Sequence, residues 1–238
     1  RMRQAVMYAI DRSALADKAY LGMAIQCEVP VNPSTWLYES QSAVFYYSPE
    51  RAMQLITGCG WQDLDGDGIL NQVDGVILKD LEIDLVTYNE PTNSIRENAA
   101  DMIADYLKTV GVKVNVRVAS KSRTLQRIKE KDYDIALVGV QLSDVPGVAS
   151  ILQKGGALNL NKYSSDSMET LIGQITQDAS DSALRSTLSA IQMSVVDDLP
   201  VLGLLFRTGS VLSRRSLAGL SGISASNMLN GIEFMQSE

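Results

Sequence analysis

Apolar side chains recur every third and fourth position at the start of the chain, where Met2, Ala5, Val6, Ala9 and Ile10 share one helical face. Asp11 opens a second helical stretch carrying Leu15, Ala16, Ala19 and Tyr20. Gly22 is its stop, because glycine accepts the left-handed conformation after a last turn. Residues 26–47 show no period, and Pro30 and Pro33 remove backbone donors there. Trp36, Tyr38, Phe45, Tyr46 and Tyr47 crowd this stretch. They either pack a long loop onto the body or put one ring, Trp36 or Tyr38, on a ligand cleft. Ser48-Pro49-Glu50 starts the next helix: serine caps, proline fits the first turn, and glutamate suits the positive end of the dipole. Ala52, Met53, Leu55 and Ile56 give it a buried side, Gly58 and Gly60 end it, and Trp61 packs behind it.

A different rhythm follows. Leu81, Ile83 and Leu85 alternate with Glu82, Asp84 and Val86, which predicts a half-buried strand over 81–88. Residues 94–110 form an amphipathic helix with Ile95, Ala99, Met102, Ile103, Tyr106, Leu107 and Val110 on one side, stopped by Gly111. Val112, Val114, Val116 and Val118 alternate with polar residues as a second strand. Leu125 and Ile128 mark a short helix, and residues 135–138 a more buried third strand. This order predicts an α/β fold with a mostly parallel central sheet flanked by helices. Beyond a loop through 143–164 lie two helices, one with Met168, Leu171, Ile172 and Ile175, the other with Leu184, Leu188, Ile191 and Val195. Leu199-Pro200 breaks the run, residues 201–206 read as an apolar strand, and 210–213 as a neighbour for it.

Composition removes many chemistries. The chain has 238 residues, 21 Lys+Arg, 28 Asp+Glu and no histidine, a net charge of −7. Nucleic-acid binding needs a clustered basic surface, which an acidic chain of this kind does not suggest. Without histidine there is no Ser-His-Asp or Cys-His catalysis and no His-containing zinc site. Two cysteines, Cys27 and Cys59, cannot build a four-thiolate centre. Apolar runs are far shorter than the roughly 20 residues needed to span a bilayer. No GxSxG, P-loop or GxGxxG motif occurs. Acid pairs such as Asp197-Asp198 and Glu82-Asp84 sit at helix-end or strand-face positions and read as solvated surface. The expectation is a protein that is not an enzyme. The chain opens in mid-helix with no leader, which suggests the cut edge of a longer protein.

The sharpest motif lies at 63–74. Asp63, Asp65, Asp67 and Asp74 occupy positions 1, 3, 5 and 12 of a twelve-residue calcium loop, Gly68 sits at 6, Ile69 offers a carbonyl at 7 and Asn71 stands at 9. Oxygen ligands at this spacing can surround calcium. Against that, position 12 is a short-armed Asp and the following segment reads as a strand, so a plain acidic turn is the other reading.

Several short segments resemble one family in order. Arg3-Gln4-Ala5-Val6-Met7-Tyr8-Ala9-Ile10-Asp11-Arg12 resembles the RqAiayAiDR segment of extracellular solute-binding proteins of the peptide/nickel ABC-importer family. Tyr47-Ser48-Pro49-Glu50-Arg51-Ala52 with Gly60-Trp61 is similar to its yDpekA and aGw elements. Residues 107–114, 132–136 and 198–201 resemble its L…GI.v, gdyDia and edaPviPl elements. The resemblance covers about residues 1–205.

What this resemblance implies is a periplasmic-binding-protein-like lobe. Residues 1–200 would be the C-terminal lobe of a two-lobed protein, and 201–238 a hinge strand and tail returning to the other lobe. The expected function is binding of oligopeptides or dipeptides for import, by closure of the lobes on the ligand and docking on a membrane permease. The partners implied are the peptide, the permease subunits and the N-terminal lobe, and the location is extracytoplasmic, as a cell-surface lipoprotein or in the periplasm. The alternative is a sensor or interaction module on the same fold. The family often carries a similar DxDGDG loop as an acidic turn, so the cofactor expectation is none, with calcium at 63–74 left open.

The cleft loops expected from this resemblance are 139–147 and 157–163, with 32–38 as a third. Their candidate ligand-binding residues are Gln141, Ser143, Asp144, Asn159, Tyr163 and Trp36. The first loop follows a buried strand, where open α/β sheets take their ligands. The family has a Trp and then an Asp there, and that Asp can pair with a peptide's amino terminus. Here Val140 replaces the Trp and Asp144 is displaced by one residue, which weakens the case for such capture. Asp144 can equally be a solvated loop acid, and Asn159 and Tyr163 can serve helix capping and packing. In an exported protein Cys27 and Cys59 could close a 33-residue loop, worth ~3–4 kcal/mol by chain entropy. The other reading is two separate buried thiols.

Overall fold

The computed structural model describes residues 1–142 and 147–209, with the backbone of 217–218 and 236–237. The central element is β4 (Glu82–Tyr88), flanked by β5 (Lys113–Ala119) and β6 (Ile135–Leu137), with both neighbours parallel to it. The crossovers are α4 (Ile95–Lys108) and α5 (Lys121–Glu130). The alternation at 81–88 and 112–118 therefore forms the expected strands. β4 differs from a half-buried strand in its second half: Leu85, Val86, Thr87 and Tyr88 are all buried. A central strand is covered on both faces once its crossovers return, and Thr124 of α5 donates its hydroxyl to the Thr87 carbonyl at 2.9 Å.

Two apolar cores share one helix. The first joins α4 through Ala99, Ala100, Ile103 and Leu107 to Leu81 and Leu85, and to α2 (Arg12–Lys18) and α3 (Pro49–Thr57). The second is built on α6 (Val148–Leu152), α7 (Asp166–Ile175) and α8 (Asp181–Asp198), together with Val29, Val31 and Phe45 of the long loop. Between them lies α1 (Met2–Ala9). Ala5 and Ala9 enter the first core and Met7 the second. A single apolar face at 2, 5, 6, 9 and 10 thus describes half of this helix. Met7, wholly buried, lies outside that face, because a helix between two cores is apolar on two sides.

The helix ends follow local chemistry. Ser48 caps α3, Ser120 caps α5, Ser165 caps α7 and Ser180 caps α8, each accepting from the backbone N–H three residues on. Gly111 takes φ +76 after α4, where a Cβ would stand 2.5 Å from Leu70 Cγ. Lys131 takes the same left-handed conformation, φ 60, after α5.

Two antiparallel pairs lie outside the main sheet. β2 (Asn71–Asp74) and β3 (Ile77–Asp80) form a hairpin. Buried Asn71 exchanges backbone bonds with Gln62, accepts from Leu64 N and donates to Asp65. The apolar run at 201–206 is mostly not a strand. Only β7 (Leu205–Arg207) pairs, and it pairs with β1 (Ala24–Gln26), a three-residue strand inside a stretch without period. Gly203 explains the delay: a Cβ there would lie 2.5 Å from the Glu28 carbonyl carbon and oxygen, so two backbones touch before pairing begins. Past 209 an antiparallel pair joins β8 (Leu217–Ala218) and β9 (Gln236–Ser237). The neighbour strand expected at 210–213 lies outside the described residues.

Cys27 and Cys59 are both free, so the disulfide reading is set aside. Burial, with the Glu28 carboxylate adding to it and Arg12 opposing, pushes the Cys27 thiol up to about 12. Two outcomes follow from this architecture. A thiol reagent at neutral pH should label Cys59 in the native chain and Cys27 only after unfolding; two labels at equal rates would show that Cys27 is reached. Gly111→Ala should cost about 2–3 kcal/mol, roughly 5–10 °C in Tm. Lys131→Gly should instead raise stability by up to about 1 kcal/mol. The opposite signs are read from two thermal melts.

Candidate functional site

In a parallel sheet all strands end at one edge. β4 ends at Tyr88, β5 at Ala119 and β6 at Leu137, and the loops leaving them form the place where open α/β sheets take ligands. The amino ends of α4 and α5 lie at this same edge because each helix directly follows its strand. Asn93 accepts from Ile95 N at the start of α4, and Ser120 accepts from Arg123 N at the start of α5.

A charged cluster is assembled there. Arg96, 7% exposed, reaches back from the first turn of α4. Its Nη2 pairs with Glu90 Oε1, and its guanidinium carbon lies 4.4 Å from the centre of the Tyr88 ring. The guanidinium rests on Gly139, where a Cβ would come within 2.8 Å of Nη2. The Gly139 backbone N–H donates to the Tyr88 hydroxyl at 3.3 Å. Arg207, delivered by β7, brings Nη1 to 3.9 Å from the same Glu90 oxygen. Lys121 Nζ stands 5.7 Å from the Tyr88 ring centre.

The electrostatics follow from this geometry. Burial works to raise the Glu90 carboxyl, but the Arg96 hydrogen bond and charge, with Asn93 and Arg207, outweigh it and hold it below the usual glutamate range. Tyr20 is raised, chiefly by burial, with Arg96 and Arg207 opposing. Among the described residues, buried Arg96 Nε finds no hydrogen-bond partner.

The residues singled out from the sequence are placed as follows. Gln141 is exposed in the loop beyond β6, and Ser143 and Asp144 lie outside the described residues. Asn159 and Tyr163 are brought together. Asn159 donates to the carbonyls of Gln153 and Tyr163 and accepts from Tyr163 N, so its amide is engaged within its own loop. Tyr163 donates its hydroxyl to Asp198 at 2.9 Å. Trp36, half exposed, is fixed to α8, its carbonyl accepting from Arg185. Buried Gln192 holds the same loop by donating to Leu37 O and accepting from Glu39 N. None of these bonds reaches the Arg96 cluster.

In the acidic loop, carboxylate oxygens of Asp63, Asp65 and Asp67 lie within 4.8 Å of one another. Asp74, at the end of β2, is outside that group. Asp63 accepts from Gly66 N and Gly68 N, and Asp67 from Ile69 N, so these carboxylates organise the turn itself. A recess of about 270 Å³, lined by residues including Lys131, Tyr133 and Lys162, lies at the amino end of β6, away from the carboxyl edge.

Tyr88, Glu90, Arg96, Lys121 and Arg207 were not singled out from the sequence. One signal was present: Arg96 falls in line with the buried Ala100, Ile103 and Leu107, at 0, +4, +7 and +11. A cation on an apolar face needs a specific partner.

Residues 1–157 match the family described as bacterial extracellular solute-binding proteins, family 5 Middle. The oligopeptide-binding protein AppA of Bacillus subtilis is 29% identical over 150 residues, 61% of this chain and 26% of that protein. The solved structure of AppA with a nonapeptide superposes with a TM-score of 0.75 at 25% identity, covering 87% of this chain and 41% of AppA's. A mannohexaose-bound oligopeptide-binding protein from Thermotoga maritima has a TM-score of 0.76 at 18% identity, covering 97% and 46%. NikZ from Campylobacter jejuni, solved with Ni(L-His), has a TM-score of 0.72 at 18% identity, covering 87% and 41%; these last two likenesses show the fold alone. The chain spans about a quarter of the length of the curated relatives it matches.

The Glu90–Arg96 pair has a pH signature. Stability from a depressed carboxyl is present above its unfolded pKa and is lost as pH falls through the folded pKa. Glu90→Gln should cost roughly 2 kcal/mol at neutral pH, less than the 3–5 of a fully enclosed pair because Glu90 retains contact with water. The difference from the parent in thermal melts should shrink as pH falls below the ordinary glutamate pKa of about 4.3. A difference independent of pH would show that the pair is not ionic.

Proposed function

The chain belongs to the bacterial extracellular solute-binding proteins of family 5, and from that premise we propose that it is one lobe of a two-lobed peptide binder serving an ABC importer. The observation that carries this reading is the charged cluster at the carboxyl edge of the sheet, with Arg207 and Lys121 facing solvent. Such an edge is one wall of a cleft, and a second lobe would supply the other. Peptides suit it better than the other ligands found on this fold. A peptide is zwitterionic and answers a wall of mixed charge, while a neutral sugar has no charge to pair. A nickel ion would have to arrive already chelated, as in Ni(L-His), since this chain offers it no imidazole.

On this reading the loops at 139–147, 157–163 and 32–38 frame the ligand. Gln141, Ser143, Asp144, Asn159, Tyr163 and Trp36 are the candidate contacts on their rims. β7 pairs with β1 in a separate two-stranded sheet instead of extending the parallel set; on this reading residues from 201 onward are the hinge strand and tail that return to the second lobe. Closure over the peptide would give the permease its recognisable form. The protein would work outside the cytoplasm, anchored as a lipoprotein or free in the periplasm. Among the described residues no helix is long and apolar enough to cross a membrane. Val140 at the place of the family's Trp favours one second reading, a sensor or interaction module that keeps the fold without transport.

Calorimetry of the two-lobed protein tests this with a peptide library, mannohexaose and Ni(L-His) as ligands. Peptides should bind at micromolar affinity or better, and the 238-residue chain alone on the order of 100-fold more weakly, because half the contacts are missing. Heat only from the sugar or the nickel complex would overturn the peptide reading. Binding without uptake in a permease-containing strain would favour the sensor.

A further inference from the structure

We propose that the recess at the amino end of β6, between the end of α5 and the 157–163 loop, is a binding site for a phosphate group. It lies away from the carboxyl edge of the sheet, so the inference does not depend on what a cleft there holds.

The lining of the recess is the first argument. It encloses about 270 Å³. Ile128, 3% exposed, and Leu160 make part of it apolar, and Lys131, Lys162 and Tyr133 supply polar groups. Among the described residues the two ammonium groups and the Tyr133 hydroxyl have no hydrogen-bond or ion-pair partner. Burial raises the Tyr133 phenol, so at neutral pH it is a donor. The other polar side chains of the lining are engaged. Asp134 Oδ2 accepts from Asp84 N at 2.8 Å, and Asn161 donates to the Pro200 carbonyl and accepts from Tyr163 N. Three uncommitted donors beside an apolar surface suit a ligand with several acceptors. Two ammonium groups suit a charge above one, which a phosphate monoester carries at neutral pH and a carboxylate does not.

The second argument is the local field. Residues 113–131 hold seven of the chain's 21 Lys+Arg, with Glu130 as their one acid, in a molecule of net charge −7. Arg127 and Lys129 lie in the last turn of α5 and Lys131 follows it. Asp132 answers Arg127 at 3.7 Å, while Lys129 has no ion-pair partner among the described residues. The negative end of the helix dipole amounts to about half a charge. Lys129, Lys131 and Lys162 together outweigh it and Asp134, so an anion enters a positive recess.

Third, the backbone is held against local preference at both lysines. Among the described residues four non-glycine residues take positive φ, and two of them, Lys131 at 60° and Lys162 at 57°, line this one recess. Glycine takes this conformation without a side-chain clash. Lysine at both places therefore presents an ammonium group at a cost to the fold, and strain of this kind concentrates at functional sites.

Nuclear magnetic resonance on the 238-residue chain, with isotope-labelled lysine and tyrosine, tests the site. Sodium phosphate, glycerol 3-phosphate, sodium acetate, and phosphatidylcholine vesicles with and without phosphatidic acid are titrated separately. Phosphate should shift Lys131, Lys162 and Tyr133 at millimolar concentration, and acetate at equal ionic strength should not. Glycerol 3-phosphate acting like phosphate assigns the site to soluble phosphates. A response to phosphatidic acid vesicles and to neither soluble phosphate assigns it to a lipid headgroup. Lys162→Gln should weaken binding about threefold. Lys131→Gly should weaken it as much while raising Tm, which separates loss of the ammonium group from loss of the fold. Lys18→Gln, an equal change of charge in α2, should leave affinity unchanged. An equal response to acetate, affinity unchanged in both lysine variants of the recess, equal weakening by Lys18→Gln, or no response to any probe would overturn the site.

Discussion

A buried guanidinium organises the half of the molecule that local patterning leaves undetermined. Arg12, 4% exposed at the start of α2, lies 2.8 Å from Glu28 and donates to the carbonyls of Cys27 and Phe45. A charge this enclosed is tolerable only when each of its donors has a fixed partner. Burial pushes the Glu28 carboxyl up, and the Arg12 charge and hydrogen bond oppose it. The pair is thus weak evidence of net stability and strong evidence of specification. One side chain ties α2 to two distant points of the 27–45 loop, and nothing else in that loop repeats regularly.

The consequence reaches the candidate cleft. With Glu28 held in place, Gly203 can lie against its backbone, and β7 then pairs with β1. That pairing ends at Arg207, whose guanidinium joins Glu90 at the carboxyl edge of the main sheet. A cation contributed from residue 207 thus meets an anion from residue 90 and a second cation from residue 96 across long stretches of chain. The cluster is the meeting point of β4, α4, β6, α5 and β7, which makes it sensitive to how the elements dock and not only to their own sequences.

The two cores divide the labour. Sheet, α2, α3 and α4 form one, and the helices α6 to α8 with the loop aromatics form the other, while α1 serves both. A fold built this way can carry a rigid charged edge while its loops stay at the surface. In a molecule of net charge −7, this small group of cations makes a local field opposite in sign to that of the whole chain.

How much of this was legible depends on the range of the physics involved. Periodicity reports which side of an element meets apolar surroundings, so the strands at 81–88 and 112–118 and the helix at 94–110 could be read directly, as could the Ser48 cap from its local chemistry. So could the family resemblance, since it rests on ordered short segments. Met7 was hidden because a single-face pattern does not anticipate a helix with two buried sides. β1 was hidden because three residues are too few to show an alternation, and the 201–206 run shortened because Gly203 has to touch Glu28 first. The site was hidden for the same reason at longer range. Arg96 left a trace on its own helix face, but Glu90, Lys121 and Arg207 look like ordinary surface charges until the parallel register and the β1–β7 pairing bring them around one tyrosine. Local hydrogen bonding and burial act within a few residues and are written along the chain; charge clusters depend on distances across it, and those exist only once the chain is folded.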